Sequence, residues 1–441
     1  MRRLSVIALL ISISCACVHE KAKEDGPHKE IIDPVELTEG TRVPLSAQIT
    51  HVQPMTGIVL WTTSGSRKQS YVQLEYSYML YNDVCKEKDV FDWSVMDDLL
   101  ADVASRGHQA VVRFRYTYPG HSCAVPDYIK EEPGYEAKWA KADGRSKPDT
   151  EYPDWRSEEL QRFHKEFHKR FAERYDKDPR LAFVETGFGH WAEYHVYDGL
   201  FIKGQTFPSL DFQAEFLPKM DEWFKETPWL ISIDASDSQY APFSRQRELL
   251  DLNFGNFDDS FMCEDWDGYN WDGWRFFGLE RYKKAPGGGE FSYYDDNEDE
   301  EDYDQKHCLD AGGMYGRVFE DVAAKVHMTF IIGNGQPGRQ TPERITQAAM
   351  SLGYRFVIRD FRVKAGEWAA VLVTNVGVAP IYRSAFVAVD GVRGDYDLRG
   401  LMPGDQEWVR IPCNASAASV PSIECDHLVP GQEIQFQAEV K

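Results

Sequence analysis

Carboxylates, imidazoles and an indole are concentrated in one short stretch of the chain, LAFVETGFGHWAEYH, which spans residues 181–195. Glu185 ends its apolar first half. Its second half carries His190, Trp191, Glu193 and His195. A packed interior has no use for these groups together, whereas loops that leave the strands of a barrel present such side chains to a ligand. The stretch therefore indicates a buried strand that runs directly into a functional site.

The other side chains with useful chemistry lie near the ends of predicted strands, and carboxylates are the most frequent type among them. They are Arg113, Arg115, Tyr116, Asp234, Glu264, Asp265, Trp266, Glu290, His327 and Asn334. Cleavage of a glycosidic bond requires two carboxyl groups that flank the bond, because the leaving oxygen must be protonated while positive charge builds up at the anomeric carbon. The set indicates chemistry of this kind, with the arginines, histidines and aromatic rings as substrate-binding groups.

A scaffold that could position these groups is visible between residues 56 and 353, where strand-like and helix-like segments alternate as in parallel βαβ units. Strands are predicted at 57–61, 72–81, 110–116, 181–185, 229–234, 260–265, in the segment that ends at Glu290, and at 327–332. Helices are predicted at 92–106, 157–175, 211–225, 241–253, 274–284, 315–325 and 341–352. No glycine-rich phosphate turn follows the first strand, which favours a closed barrel over an open sheet.

The predicted fold class is therefore α/β, with a (β/α)8 TIM barrel over residues 43–353 as the catalytic domain. From residue 354 to residue 441 short strands separated by turns replace the alternation, which predicts a small accessory β-sandwich.

The first 17 residues are typical of an exported protein, because Arg2 and Arg3 precede an apolar run that is too short to span a bilayer. Cys17, which follows small residues, resembles the lipidated cysteine of bacterial lipoproteins. Cys15 is the alternative acceptor, and a soluble secreted protein is the alternative outcome. Residues 18–42 are polar and predict a tether. We expect an exported protein that is lipid-anchored to a bacterial membrane, at the cell surface or in the periplasm.

The charge balance limits the possible partners, because 72 acidic and 49 basic residues give a net charge of -23. Phosphate backbones and anionic lipid head groups would be repelled, which excludes nucleic acid and favours a neutral or cationic partner. We expect a carbohydrate partner, membrane contact through the lipid anchor alone, a monomeric state and no cofactor.

Six cysteines remain beyond the predicted signal peptide. An even number in an exported chain suggests disulfides, and the order along the chain favours adjacent pairing. The predicted pairs are Cys85 with Cys123, Cys263 with Cys308, and Cys413 with Cys425.

Three features admit a second interpretation. His164 and His168 have the spacing of metal ligands, but their segment reads HKEFH rather than HExxH. The acidic run 295–304 could bind calcium, but it lacks the glycine of an EF-hand loop. We predict no metal site.

Arg113 and Arg115 point the same way on their strand, and they either bind substrate or pair with barrel carboxylates such as Glu185 or Glu75.

The segment KAPGGGEF resembles the seventh strand of the large clan of (β/α)8-barrel glycoside hydrolases, in which the Glu is the nucleophile. The resemblance implies that Glu290 is the nucleophile and that Glu193 or Glu185, on the fourth strand, is the acid/base. The fourth strand lacks the Asn-Glu pair that is usual in the characterised members of that clan.

The combination of VVRFRY, GFGHWAEYH, GGGEF, HMTFIIGN and NVGVAP more closely resembles an uncharacterised family of exported bacterial barrel lipoproteins. Members of that family carry Gly-Glu-Trp-His on the fourth strand, where this chain reads Ala-Glu-Tyr-His. The shared Glu and His favour Glu193 over Glu185 as the acid.

These inferences together predict a glycoside hydrolase that cleaves a poly- or oligosaccharide outside the cytoplasm, with retention of configuration. The alternative is a surface glycan-binding lipoprotein that keeps the barrel without catalysis. A third option is a barrel hydrolase or lyase that acts on a compound other than a sugar.

Overall fold

The computed structural model describes residue 37 and residues 39–142, 149–293 and 300–441. The predicted signal peptide, Cys15, Cys17, most of the predicted tether and residues 295–299 of the acidic run lie outside these residues. No helix in the described part of the chain is long and apolar enough to cross a membrane.

Eight parallel strands close into a barrel, which confirms the predicted fold class. In chain order they are β1 (Gly57–Trp61), β2 (Leu74–Leu80), β3 (Gln109–Arg115), β4 (Leu181–Glu185), β5 (Trp229–Ser232), β6 (Phe254–Phe261), β7 (Gly287–Phe291) and β8 (Phe330–Ile332). Strand β8 pairs with β1, so the sheet has no free edge. The carboxyl ends of all eight strands consequently meet at one mouth.

Helices surround the barrel. The longer ones are α1 (Ser94–Ala104), α2 (Glu158–Tyr175), α3 (Leu210–Trp223), α4 (Tyr269–Phe277), α5 (Phe319–Lys325) and α6 (Pro342–Met350). Helix α2 begins as predicted, because the Ser157 side chain accepts a hydrogen bond from the backbone N–H of Leu160. Its apolar stripe, which includes Phe163, Phe167 and Phe171, is buried against the barrel.

Strand β6 corrects the sequence prediction, which placed the sixth strand at 260–265 and a helix at 241–253. The strand is Phe254–Phe261, and only a short 3-10 turn, Arg247–Asp251, lies within the predicted helix. Two adjacent aspartates, Asp258 and Asp259, lie inside the strand. Charged residues are depleted in strands, and this pair made the segment look like a loop.

The strand-rich C-terminal region forms two sheets. Its strands are β9 (Phe356–Lys364), β10 (Trp368–Asn375), β11 (Ala385–Val389), β12 (Val392–Asp397), β13 (Gln406–Pro412), β14 (Pro421–Cys425) and β15 (Phe436–Val440). One sheet has the order β13-β10-β9-β15 and the other β12-β11-β14. Two N-terminal strands, Thr41–Arg42 and Leu45–Ala47, pair with β9 and β15, so the chain passes through this region before it enters the barrel.

The barrel and the C-terminal sheets are joined at the amino ends of the barrel strands. The buried Arg383 donates hydrogen bonds to the Leu181 carbonyl at 2.7 Å and to the Thr227 hydroxyl at 2.8 Å. His327 precedes β8, stacks on Tyr282 and has its Nδ1 atom 2.6 Å from the Val378 carbonyl. His327 therefore lies at the end of the barrel opposite the mouth, and its predicted role in substrate binding is wrong.

The predicted disulfides are also wrong, because all six cysteines of the described chain are free. Cys413 follows β13 in one C-terminal sheet, whereas Cys425 ends β14 in the other. The Cys85 thiol donates to the Glu87 carbonyl at 3.2 Å. The Cys263 thiol donates to the side-chain oxygen of Asn270, and the Cys308 thiol donates to the backbone carbonyl of Gln305. Cys123 is buried. Order along the chain is a poor guide to pairing, because a disulfide depends on the approach of two Cβ atoms in space.

Candidate functional site

Arg113, on β3, lies at the centre of the barrel mouth and is surrounded by carboxylates. Its Nε atom donates to Glu185 at 2.7 Å, and its Nη1 atom donates to Asp259 at 3.0 Å. The same Nη1 atom lies 3.7 Å from a Glu193 oxygen. The side chain of Arg113 is 2% exposed, so its charge depends on these partners. Three carboxyl groups, from the ends of β4 and β6, are thereby brought together around one cation.

The two-residue alternation of β3 explains this placement. Val111 and Arg113 face the inside of the barrel, where Arg113 lies over the Phe257 ring at 4.7 Å. Arg115 faces the same way and packs on the Tyr118 ring at the mouth, 4.5 Å from its centre. The pairing of Arg113 with Glu185 confirms one of the two interpretations offered for the arginines, whereas the described residues include no carboxylate partner for Arg115.

Glu185 is the most buried of the predicted catalytic residues, with 2% of its surface exposed. One of its oxygens accepts from both Arg113 and the Tyr76 hydroxyl, the latter at 3.0 Å. The other oxygen is buried without a hydrogen-bond partner in the described chain. Burial raises the pKa of Glu185 to about 7, although Arg113 opposes the shift.

Glu290 ends the glycine run of β7. The glycines allow close packing there, because a Cβ on Gly288 would collide with the Phe330 ring. Asp258 of β6 pairs with Gly289, which makes Asp259 and Glu290 the next residues along two neighbouring strands. Burial, together with the charges of Asp259 and Glu193, raises the pKa of Glu290 well above its usual value. These surroundings therefore favour the neutral form of Glu290.

The loop after β4 places Glu193 over the mouth. Trp191 and Ala192 both have positive φ angles, 54° and 61°, which turn the chain back towards the barrel. Gly187 and Gly189 make room for this turn, because a Cβ on either would collide with a carbonyl group of residues 192–195. The conformation of the loop thus depends on its two glycines as well as on its polar residues.

Glu193 and His195 form a close pair, with Oε2 and Nε2 2.5 Å apart. The backbone N–H of Tyr197 points at the Nδ1 atom of His195 at 3.3 Å. Since a backbone N–H can only donate, Nδ1 is an acceptor and Nε2 carries the proton that faces Glu193. Burial raises the pKa of Glu193, and Asp259 adds to the shift. Burial lowers the pKa of His195, but the Glu193 carboxylate outweighs this and raises it.

Asp234, beyond β5, completes a group in which one ligand atom each from Glu193, His195 and Asp234 lies within 4.8 Å of the others. The residue types are those of a metal site. A metal-bound histidine, however, normally donates its second ring N–H to an acceptor, whereas Nδ1 of His195 faces a backbone donor. A metal bound to Nε2 would leave both ring nitrogens of His195 without a proton, so the imidazole would have to be an anion. The donor set therefore fits a proton-sharing pair better than a metal centre.

Aromatic rings line the mouth on this side. Tyr197 stacks on His195, and its hydroxyl lies 3.4 Å from an Asp234 oxygen and 2.8 Å from the Tyr269 hydroxyl. Tyr197 and Tyr269 are about half exposed, at 44% and 45% of each residue's surface. Trp191 packs edge-on against Tyr118. These exposed faces suit the apolar faces of sugar rings.

Several predicted site residues lie elsewhere. Tyr116 points outwards, as the alternation of side chains along β3 implies. Its ring stacks on Tyr81, and its hydroxyl forms a hydrogen bond with His164. His190 is buried against the Tyr152 hydroxyl, and Trp266 is buried with its indole N–H on Asp258. None of the three is available to stack on or bind a sugar.

The loop residues Glu264 and Asp265 are exposed beyond β6, and within the described residues neither forms an ion pair with Arg113. Asn334, after β8, remains at the mouth, where its side-chain oxygen accepts from the Trp61 backbone at 3.2 Å.

The sequence prediction missed Asp259, Tyr197 and Tyr269. Asp259 had a signal, because it is two residues beyond Phe257 and a correctly placed β6 would have turned both side chains inwards. Tyr197 and Tyr269 had no such sequence signal, because no pattern in their segments predicts that they lie next to each other across the mouth.

The chain matches no protein-family model, and no curated protein sequence matches it at a significant level. Its fold is similar to those of solved structures. One is GH5_18 from Bifidobacterium longum subsp. longum, with 9% identity, a TM-score of 0.40, and coverage of 68% of this chain and 79% of that chain. A second is CbXyn10B in native form, with 10% identity, a TM-score of 0.39, and coverage of 63% and 84%.

A third is the endoglucanase Cel5A of Pseudomonas stutzeri, with 11% identity, a TM-score of 0.36, and coverage of 70% and 97%. These neighbours are glycoside hydrolase barrels, and similarities this low say nothing about what the present chain acts on. The uncharacterised lipoprotein family remains a prediction from the sequence.

Proposed function

We propose that the protein is a glycoside hydrolase whose catalytic carboxyl groups are Glu193 and Glu290. The observation that carries the proposal is the convergence of Glu193, Asp259 and Glu290, from three separate strand ends, on the buried Arg113. A barrel mouth with several carboxyl groups around one cleft, and exposed aromatic rings beside it, suits a glycosidic bond that must be protonated on one side and stabilised on the other.

Glu193 is the proposed proton donor. Its raised pKa supplies a neutral carboxyl group near neutral pH, as a general acid needs. His195 fixes the direction of the carboxyl group from 2.5 Å away. Glu185 is a poorer acid, because its oxygen is held by Arg113 and Tyr76 below the mouth.

Glu290 is the proposed nucleophile, with retention of configuration. A nucleophile must be ionised, whereas burial and the neighbouring carboxylates favour neutral Glu290. Positive charge that develops at the anomeric carbon opposes this preference, because an adjacent cation stabilises a carboxylate. Glu290 must therefore give up its proton before it attacks, and Asp259, the neighbouring carboxylate on β6, is the proposed acceptor of that proton.

A second candidate function is glycan binding without catalysis. The observation that favours it is the same neutral state of Glu290, since a protein that only binds has no need of an anion there. The aromatic rim of Tyr197 and Tyr269 serves binding equally well.

One experiment separates the two functions. The purified protein is incubated with a panel of poly- and oligosaccharides, and released sugars are identified by mass spectrometry and their anomeric form by NMR. Release of a sugar by the wild type, with loss of release in Glu290→Gln, supports the hydrolase. Binding of a glycan without any release supports the second function.

We also propose that the protein is exported and anchored through a lipid on Cys17. The support is the charged start, the short apolar run and the small residues before Cys17. Membrane fractionation of Cys17→Ala tests this. A Cys17→Ala protein that stays membrane-bound, with lipid on Cys15, would move the assignment by two residues.

A further inference from the structure

Arg115 is a cation without an anionic partner at the mouth of the barrel. It ends β3, two residues beyond Arg113, and faces the same way. Its guanidinium forms no ion pair and no hydrogen bond within the described residues, although the chain carries 72 acidic residues. Asp83 is the carboxylate whose charge acts on Arg115 most strongly, and it pairs instead with Lys86 at 3.6 Å. The positive charge of Arg115 is therefore left for another group.

The outer edge of the Arg115 guanidinium is accessible. The Nε atom is buried without a hydrogen-bond partner, whereas the equally unpaired Nη1 and Nη2 atoms remain open to solvent. Burial lowers the pKa of Arg115, because no adjacent carboxylate offsets the lost hydration. A partly dehydrated guanidinium with two free terminal nitrogens is suited to an oxyanion that accepts from both of them.

Aromatic rings fix the direction of this side chain. The guanidinium carbon of Arg115 lies 4.5 Å from the centre of the Tyr118 ring and 5.9 Å from that of Tyr78. Tyr118 in turn packs edge-on against Trp191, which belongs to the loop that carries Glu193. An anion bound to Arg115 would therefore lie beside the sugar unit that reaches Glu193.

The remaining charges of the mouth admit an anion at Arg115. The raised pKa values of Glu193 and Glu290 favour their neutral forms, and Asp259 is bonded to Arg113. The net charge of -23 repels acidic polymers at long range, and it alone favoured a neutral or cationic partner. Salt screens that repulsion beyond about 8 to 10 Å, whereas a contact with Arg115 is direct.

We propose that the protein takes acidic glycans, with a carboxylate or sulfate group of a sugar unit bound by the terminal nitrogens of Arg115. This inference rests on the proposed function, because it names the substrate class for the same mouth. A neutral sugar hydroxyl can accept from Arg115 but leaves its charge uncompensated. The two oxygens of a carboxylate match the two terminal nitrogens, and a sulfate ester presents oxygens of the same kind. Arg115 would determine specificity, while Glu193 and Glu290 carry out the chemistry.

The test compares charged glycans with neutralised forms of the same backbone. Hexasaccharides of polygalacturonate, alginate, hyaluronan and chondroitin sulfate are titrated into the full protein by isothermal titration calorimetry. Their carboxyl-reduced forms, and desulfated chondroitin, are titrated in parallel. The wild type is expected to bind at least one charged hexasaccharide at least about tenfold more tightly than its neutralised form, as expected for hydrogen bonds between charged groups. Loss of the preference on carboxyl reduction assigns the carboxylate, and loss on desulfation assigns the sulfate.

Arg115→Gln is expected to reduce the preference to less than about threefold, since the amide keeps a donor and removes the charge. Arg359→Gln is the matched control, because Arg359 is an exposed arginine of β9 that forms no ion pair within the described residues. It removes the same charge and is expected to keep the wild-type preference. Arg115→Lys keeps the charge but not the pair of nitrogens, and it should lower the preference several-fold.

Two results would overturn the inference. One is a wild type that binds no charged hexasaccharide more tightly than its neutralised form. The other is a preference that survives in Arg115→Gln or falls equally in Arg359→Gln. If Arg115→Gln does not fold, an unchanged preference in Arg115→Lys would overturn the contact with Arg115.

Mass spectrometry of the same titrated samples separates this inference from the proposed function. Release of sugars from neutral glycans without any preference for charged ones leaves the hydrolase intact and rejects the acidic-glycan site. A preference for a charged hexasaccharide that depends on Arg115, without cleavage of any glycan, rejects the hydrolase and supports the acidic-glycan site.

Discussion

The Nε2 atom of His195 lies 2.5 Å from Oε2 of Glu193, while the Nδ1 atom of the same ring accepts from the backbone N–H of Tyr197. The second contact fixes the ring and leaves its proton on the side of Glu193. The Tyr197 ring stacks on the imidazole and limits its movement. His195 is therefore a positioning residue, which sets both the direction and the proton affinity of the proposed acid.

His195→Gln tests this relationship through the pH profile. His195 lowers the pKa of Glu193, because it becomes positively charged when it takes the proton of the pair and because it donates a hydrogen bond to the carboxylate. Glutamine keeps a donor but cannot take the proton. The alkaline limb of kcat/KM reports loss of the proton from the acid, so it should move to higher pH in His195→Gln. We also expect kcat to fall about tenfold or more, because the carboxyl group loses its orientation.

His51→Gln, a matched change in the segment before β1, should leave the profile unchanged. An alkaline limb that stays in place in His195→Gln would show that Glu193 is not the titrating acid.

Glu193→Gln and Glu290→Gln should each abolish most of the turnover. Loss of a general acid or of a nucleophile costs about two to four orders of magnitude in kcat. Azide should restore activity to Glu290→Gly and yield the opposite anomer, because a small anion can then occupy the place of the missing carboxylate. Glu264→Gln, on the exposed loop after β6, is the control. Near-normal turnover in Glu290→Gln would reject the nucleophile, and full activity in Glu193→Gln would move the acid to Glu185.

The barrel was predictable because its evidence is local. Alternation of strand and helix patterns identifies each βα unit, and parallel strands must then bring their carboxyl ends together. That argument correctly placed Arg113, Glu185 and Glu290 near the carboxyl ends of their strands. It failed for β6, where Asp258 and Asp259 interrupt the apolar pattern.

The detailed arrangement of the site depends on distances that no pattern encodes. The 2.5 Å approach of Glu193 to His195 follows from left-handed turns at Trp191 and Ala192, which are residue types that rarely adopt them. Tyr116 is different, because the alternation that turns Arg113 and Arg115 inwards already turns Tyr116 outwards. That error was avoidable, whereas the contacts of Tyr197 with Asp234 and Tyr269 were not visible in the sequence.

The cysteines provide a direct test of the fold. In the described chain all six thiols are free, and four of them are buried: Cys85, Cys123, Cys263 and Cys308. Alkylation of the protein unfolded without reductant, followed by peptide mapping, should find the label on each of the six. The same alkylation of the folded protein should leave the four buried thiols unlabelled. A cross-linked peptide that joins any two of these cysteines would contradict the arrangement.

Glu185 should make the stability of the protein depend on pH in a predictable direction. Burial raises its pKa from 4.5 to about 7 in the folded protein. Between these values the folded chain binds more protons than the unfolded chain, so the free energy of unfolding falls as the pH rises through this window. A change of this size corresponds to about 3 kcal/mol at most. The contribution is fully present below pH 4.5 and is lost above pH 7.

Glu185→Gln removes this titration, because glutamine carries no ionisable proton. Urea unfolding of the wild type and the variant at pH 4.5, 5.5, 7 and 8 gives the two pH dependences. The decline between pH 4.5 and 7 should be shallower in Glu185→Gln, whatever the absolute loss of stability from the broken hydrogen bond to Arg113.

Asp258, whose pKa burial raises to about 6, should preserve part of the decline in both proteins. Glu264→Gln removes an exposed carboxyl group, and it should reproduce the wild-type curve. Parallel curves for Glu185→Gln and the wild type would show that Glu185 is ionised in the folded protein at acidic pH, held so by Arg113.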